Sequence, residues 1–138
     1  MTPTQNRTQI HNYIEQIWNQ HDTDALDRLV TPDFRRHLGP TQESIDAAGQ
    51  KARIAMFQRA FPDLHFDVQD IVAEGDRAVF RVIVRGTHEA ELFGVPRTGA
   101  KIQIEAVDVA RLEDGKIAEL WGVVDLMGLV QQLKAAAQ

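Results

Sequence analysis

Residues 101–124 read KIQIEAVDVARLEDGKIAELWGVV, and this stretch decides the fold. Polar and apolar residues alternate along 101–112, which is the period-two pattern of a β-strand with one buried face. The Asp-Gly pair within 113–116 is typical of a tight hairpin turn. A second strand is therefore predicted over 117–124, antiparallel to the first.

The alternation extends toward the N-terminus, and before residue 61 it gives way to the spacing of helices. A turn at 74–76 separates two further predicted strands, which cover 64–72 and 77–88. The predicted helices cover residues 5–20, about 23–30, 41–60 (capped by Thr41 or Ser44) and 125–137, with a short extended piece at 34–38.

Three helices followed by a meander of strands indicate the α+β class, with the helices packed on one face of a curved, mostly antiparallel sheet. The 138 residues, 43% of them hydrophobic and 25% charged, fit one domain spanning 1–138.

Composition argues against several classes of function. The chain has no cysteine, a net charge of −5 and no basic stripe, so nucleic-acid binding has no support. Neither a signal-like apolar core nor a run of membrane-spanning length is present, which predicts a cytoplasmic protein without membrane contact. The five histidines have no metal-ligand spacing, and we expect no metal and no cofactor.

The second half of the chain resembles a known family. The stretches GTH at 86–88, FGVPRTG at 93–99, VDVARLEDGKIAELW at 107–121 and DLMGLVQQL at 125–133 are similar to the SnoaL-like polyketide cyclases of the NTF2-like superfamily. The opening helix, FPDL at 61–64 and VAEGDR at 72–77 fit the same pattern.

This resemblance implies a cone, in which a strongly curved sheet and the N-terminal helices enclose a pocket for a small hydrophobic organic molecule. It also implies homodimers that form through the outer sheet face. One departure concerns the chemistry. The acid/base Asp of the antibiotic-pathway cyclases aligns with Gly122, and a His of the preceding strand aligns with Asp108.

Asp108 is the sharpest local anomaly, because it interrupts the apolar face formed by Ala106, Ala110 and their neighbours. Burying an unpaired carboxylate is costly, so Asp108 is either a general acid/base facing a ligand or a structural carboxylate bonded to a partner such as His88 or an arginine.

Two histidines are further candidates. His88 ends the inner face of the preceding strand, where it would polarise a substrate oxygen or relay a proton with Asp108; alternatively it is a wall residue that orients the 89–100 connection. His37 follows the second helix and is expected at the cavity rim, with a surface position as the alternative.

The remaining candidates are substrate-binding residues. Trp18, Phe57, Phe61 and Trp121 are predicted to line the pocket or the core, and Gly122 would leave room inside it. Asp125 is better explained as a helix cap than as a ligand contact.

Three hypotheses follow. The first is cofactor-independent acid/base catalysis on a carbonyl or hydroxyl compound, of cyclase, isomerase or hydratase type, with Asp108 and His88 as catalytic residues. The second is a non-catalytic module of the same fold that binds a small molecule. The third is an interaction domain that works through its outer sheet face.

Overall fold

The computed structural model describes residues 2–40 and 43–137, and its sheet has the predicted alternation. On the long central strands the even-numbered side chains are buried and the odd-numbered ones are more exposed. Six strands form one sheet, in the order β2-β1-β6-β5-β4-β3. They are β1 (Val30–His37), β2 (Ser44–Ile45), β3 (His65–Glu74), β4 (Arg77–Thr87), β5 (Lys101–Glu113) and β6 (Lys116–Val124).

All neighbouring strands of this sheet are antiparallel except β1 and β6, which run parallel. The register shifts between Val68 and Asp70 on β3 and between Arg111 and Leu112 on β5. Irregularities of this kind bend a strand and increase its twist. The mostly antiparallel sheet of the predicted α+β class is thereby confirmed.

The helices lie where the apolar spacing predicts them, with shifts at their ends. They are α1 (Pro3–Tyr13), continued by a π-helical segment (Ile14–Asn19), a short 3₁₀ turn (Thr23–Ala25), α2 (Leu26–Leu29), α3 (Ala47–Ala60) and α4 (Leu126–Ala137).

The start of α3 differs from the prediction. Asp46 caps the helix, because its Oδ1 accepts the Gly49 N–H at 2.9 Å. Ser44 instead lies in β2, and the other predicted cap, Thr41, falls outside the described residues. The predicted apolar face is also wrong in part, because Ala48, Ala52 and Ala55 are exposed.

The side of α3 that faces the sheet carries Gln50, Arg53, Ile54 and Phe57, at the spacing of one helical face. Buried apolar residues of the helices and the inner sheet face join in one cluster, which includes Ile10, Ile14, Ile54, Phe80, Leu120 and Leu133. Polar residues of α3 therefore point toward an apolar interior.

Asp125 precedes α4 and holds its first turn. The Asp125 carboxylate accepts the Gly128 N–H at 2.8 Å, and its carbonyl accepts the Leu129 N–H at 3.1 Å. A side chain on Gly128 would collide with this carboxylate, since a Cβ there would lie 2.2 Å from Oδ2. These contacts support the capping interpretation.

We expect Asp125→Ala to lower the free energy of unfolding by about 1 kcal/mol, because the first turn of α4 loses its cap. Asp125→Ser should retain most of the stability, and urea denaturation of the three proteins measures both effects. Unchanged stability of Asp125→Ala would show that the hydrogen bond to Gly128 contributes nothing to α4.

Candidate functional site

Asp108 lies near the middle of β5, on the buried face of the sheet. Its strand neighbours in register are Phe80 on β4 and Gly122 on β6. The residue is only 7% exposed, and the flanking inner positions on β5 are the buried residues Ala106 and Ala110. A carboxylate in such surroundings needs a partner to remain charged.

That partner is Arg36, which reaches Asp108 from β1. Arg36 Nη1 donates to Asp108 Oδ2 at 2.7 Å, and both side chains are almost completely buried. Arg36 is on the inner face because β1 alternates like the other strands, with Phe34 buried two residues earlier. The arginine alternative for Asp108 is therefore the observed one.

Two polar atoms of this ion pair have no partner among residues 2–40 and 43–137. Asp108 Oδ1 accepts no hydrogen bond there, and the enclosed Arg36 Nε donates none. Breaking a buried ion pair costs several kcal/mol, because one charge is left uncompensated. The pair is thus held in place, while one carboxylate oxygen remains available.

Gly122 makes this ion pair sterically possible. β6 lies between β1 and β5, so the pair crosses over it. A Cβ at Gly122 would lie 2.1 Å from Asp108 Oδ1 and 2.4 Å from Arg36 Nη2. The carboxylate of Asp108 consequently occupies the space that a side chain of residue 122 would fill.

The ion pair borders an interior cavity that offers about 50 Å³ of room. Trp18, Phe57 and Phe61 contribute to its wall, as the sequence predicted. Further walls come from apolar side chains of α4 and the strands, including Phe66, Phe80, Ile104 and Leu129. The charged side chains on its wall are Arg36, Arg53 and Asp108.

A second polar group lies behind this wall, around the fully buried Tyr13. The Tyr13 hydroxyl accepts the indole N–H of Trp18 at 3.2 Å and an amide N–H of Gln50 at 3.1 Å. Burial raises the pKa of Tyr13 above its ordinary value, so the phenol stays protonated at neutral pH. Trp18 also stacks on Phe66, with the rings 4.4 Å apart.

His88 does not belong to this group, and the predicted relay with Asp108 is wrong. Asp108 is in register with Phe80 on β4. His88 follows Phe80 by eight residues, so Asp108 and His88 are separated by roughly 26 Å along the strand direction. His88 is fully buried, and its Nδ1 binds Thr98 through the backbone N–H at 3.2 Å and Oγ1 at 2.8 Å. These contacts support its alternative role in orienting the 89–100 connection.

His37 and Trp121 lie on the outer face of the sheet, where both line a groove. The predicted positions at the rim of the interior cavity for His37 and in its wall for Trp121 are therefore wrong, and the surface alternative for His37 is the observed one. The two rings stack with centroids 5.0 Å apart, and His37 Nε2 is 2.7 Å from the carboxylate of Glu119. Arg36 and Leu120 are partners in register on the buried face, and His37 and Trp121 are the next pair along the strands. Because side chains alternate between the two faces, His37 and Trp121 point outward. Arg111 and His37 together hold the pKa of Glu119 below its usual range.

Other kinds of site find no support in the described part of the chain. Among residues 2–40 and 43–137, no group of three or more His, Asp or Glu side chains could hold a metal ion. None of the helices described there has the length and apolar character needed to span a bilayer.

Fold and cavity together define an α+β domain whose helices and curved sheet surround a small, largely apolar interior with one buried carboxylate. The sequence model of the SnoaL-like polyketide cyclases matches residues 8–133. The chain belongs to this family.

Solved structures agree with this assignment. IdmH of Streptomyces antibioticus, a candidate polyketide cyclase, is 32% identical with a TM-score of 0.83, over 94% of this chain and 98% of its own. TsrD of Streptomyces laurentii is 28% identical with a TM-score of 0.85, over 98% of each chain. AclR of Streptomyces galilaeus, a candidate hydroxylase, is 27% identical with a TM-score of 0.87, over 97% of this chain and 83% of its own. No curated protein matches the sequence.

We expect Gly122→Ala to destabilise the protein by about 1–3 kcal/mol, because the added methyl group overlaps the Arg36–Asp108 pair. Chemical denaturation measures the change. The control is the same substitution in an Arg36→Ala/Asp108→Ala background, where the colliding atoms are gone and the added cost should shrink. Equal costs in both backgrounds would contradict the steric explanation.

Proposed function

We propose that the chain binds a small, largely apolar carbonyl compound in the interior cavity and that Asp108 transfers a proton on it. The observation that carries this proposal is the hydrogen bonding of the Asp108 carboxylate. Arg36 holds one of its oxygens, while the other has no hydrogen bond from the described residues and lies in an apolar setting. A fixed base with one available oxygen is suited to general acid/base catalysis.

The proton transfer balances without a further reactant. Asp108 Oδ1 takes a proton from the carbon next to the substrate carbonyl. The electron pair of that C–H bond forms a C=C bond, and the π pair of the carbonyl moves onto its oxygen, which gives an enolate. Attack of the enolate carbon on a second carbonyl closes a ring, and Asp108 returns the proton to the new alkoxide. Where the enolate is conjugated with a further C=C bond, return of the proton to the far carbon of that system instead gives an isomerisation.

Arg36 acts as a positioning residue in this scheme. Its hydrogen bond fixes the orientation of the carboxylate, and its positive charge lies 2.7 Å from Asp108 Oδ2 in an otherwise largely apolar interior. The base then comes from β5 rather than from β6, where the resemblance locates the acid/base of the antibiotic-pathway cyclases. The carboxylate of Asp108 occupies the space that a side chain at position 122 would fill. A carboxylate on β5 here and one on β6 in those cyclases would therefore face a similar region of the cavity.

The size of the cavity limits the substrate. Ligand pockets for drug-sized molecules usually have volumes of about 300–1,000 Å³, whereas this interior offers about 50 Å³. A larger ligand requires side chains at the wall to move. Phe57 is suited to this, because it is only partly buried and contacts the exposed Phe93 edge-on at 6.3 Å. We therefore favour a small substrate over a fused polycycle.

The competing function is a non-catalytic container of the same fold. Two observations favour it: the ion pair is a sufficient structural reason for Asp108, and His88 is too distant to assist catalysis. The two functions differ in whether a carbonyl compound exchanges its α-protons when the protein is present.

We expect the protein to accelerate deuterium uptake at the α-carbon of small β-keto esters in D₂O, and Asp108→Asn to lower that rate about 10²–10⁴-fold. NMR or mass spectrometry follows the exchange. Asp114→Asn, in the turn between β5 and β6, is the matched control and should exchange like the wild type.

Asp108→Asn leaves Arg36 without its counter-charge, so a lower melting temperature is expected as well. Exchange is therefore measured at a temperature where circular dichroism shows both proteins folded. Wild-type exchange rates in folded Asp108→Asn would exclude Asp108 as the base. Ligand binding without exchange by the wild type would favour the container.

We also propose that the outer sheet face joins two copies of the chain. Val79, Val107, Val109, Trp121 and Val123 form an outer-face patch through direct cross-strand pairs. Val123 is 76% exposed, which is unusual for a large apolar side chain on a sheet. Ionic residues of both signs, such as Arg111 and Glu113, border the patch, so a second copy offers matching charges.

We expect Val123→Glu to convert a homodimer into a monomer without unfolding it, because the side chain is exposed in the single chain. Light scattering after size exclusion measures the mass. Met127→Glu on α4, at a residue that is 74% exposed, is the control and should remain dimeric. A Val123→Glu protein with the mass of the wild type would exclude this face as the interface.

A further inference from the structure

Arg53 is a charged cavity residue that the proposed proton transfer does not use. It lies on α3, on the same helical face as Gln50 and Phe57, and its side chain contributes to the cavity wall. No ion pair or hydrogen bond joins its guanidinium to another of residues 2–40 and 43–137, although the guanidinium has five N–H donors. Its guanidinium carbon lies 5.3 Å from the centre of the Phe57 ring.

The charges on the cavity wall do not balance. Arg36 and Arg53 contribute two positive charges and Asp108 contributes one negative charge, which leaves a net charge of +1. Asp108 is already bonded to Arg36, so Arg53 has no carboxylate of its own. Burial lowers the pKa of Arg53 to about 10, and the nearby charge of Arg36 acts in the same direction. The guanidinium is still charged at neutral pH.

The donors on the wall are in excess as well. The guanidinium of Arg53 has no acceptor among the described residues, whereas the unpaired Nε of Arg36 is enclosed by protein atoms. Apolar side chains form most of the remaining wall. An occupant that pairs with the guanidinium of Arg53 needs an apolar body and one negatively charged oxygen group. A planar carboxylate matches the fork of a guanidinium and forms the stronger, charge-assisted kind of hydrogen bond.

We infer that the ligand of this cavity carries a carboxylate, and that Arg53 binds it. The inference names the substrate class of the proposed site, and it rests on the proposal that the cavity is a ligand site. The apolar part of the ligand then contacts the aromatic wall, and its carboxylate pairs with the positive charge that no residue of the chain neutralises.

Matched pairs of small ligands test the inference: benzoate with benzamide, and hexanoate with hexanamide. Each pair keeps the shape of the apolar part and changes the charge. We expect the wild type to bind the acids at least about tenfold more tightly than the amides. Arg53→Gln should lose that preference, and Arg53→Lys should keep part of it. Arg59→Gln, which removes the same charge from an exposed position on α3, should behave like the wild type.

The two tryptophans report where binding occurs. The indole of Trp18 lies at the cavity wall and that of Trp121 lies on the outer face, so a ¹⁵N spectrum gives one probe for each place. Trp121→Phe assigns the two signals. We expect the acids to shift the indole signal of Trp18 and to leave that of Trp121 unchanged.

The inference is overturned by amides that bind as tightly as the acids, by an acid preference that survives in Arg53→Gln, or by shifts confined to Trp121. If amides shift the Trp18 signal and bind as tightly as the acids, the cavity still binds ligands, and only the inferred preference for a carboxylate is overturned. Absence of binding by both classes also overturns the inference, and the deuterium exchange assay decides the proposed function separately. Acid binding without exchange overturns the catalysis alone.

Discussion

The ion pair between Arg36 and Asp108 is the constraint on which the site depends. A carboxylate on the buried face of a sheet must be neutralised, and the arginine that does so comes from a strand two positions away. The strand between them must therefore have no side chain at the crossing point, which is where Gly122 lies. Three residues on three strands are thus coupled, and none of them can be replaced independently.

This coupling explains the departure from the family pattern noted in the sequence. A glycine in place of a catalytic carboxylate suggests a lost function when β6 is considered alone. In the folded chain the neighbouring strand supplies a carboxylate whose oxygen lies 2.1 Å from the position that a Cβ on residue 122 would take. Under the proposed function the carboxylate comes from β5 instead of β6, and it faces nearly the same region of the cavity.

Most of the fold was predictable because its signals are local. The strands at 77–88, 101–112 and 117–124 have strict alternation and clear turns, and they differ from the observed bounds by about one residue. The beginning of α3 was not predictable in this way, because Asp46 competes with Thr41 and Ser44 as a cap, and the difference depends on the pairing of β2 with β1. Pairing between segments is not a local property.

The site was harder to predict than the fold for the same reason. Asp108 was identifiable because one polar residue interrupts an apolar strand face, and Trp18, Phe57 and Phe61 because large aromatic residues collect at the interior. Arg36 and Arg53 were missed, since arginine is ordinarily a surface residue. Alternation with Phe34 was an available signal for Arg36, and the i, i+4 spacing from Arg53 to Phe57 was one for Arg53. His37 and Trp121 were assigned to the wrong face of the sheet, because the face depends on whether the odd-numbered or the even-numbered side chains of β1 and β6 point inward.

The two arginines also bear on the energetics of the proposed proton transfer. When a proton moves from the substrate to Asp108, the negative charge leaves the carboxylate and appears on the substrate oxygen. The total charge of cavity and ligand stays constant, so the cost of the step depends on how well the new anion is stabilised. Arg36 is already buried beside the carboxylate, and Arg53 adds positive charge to a largely apolar cavity wall. In such surroundings fixed charges act more strongly than they do in solvent. In the proposed scheme Arg36 therefore helps to stabilise the new anion, while Arg53 holds the carboxylate of the ligand.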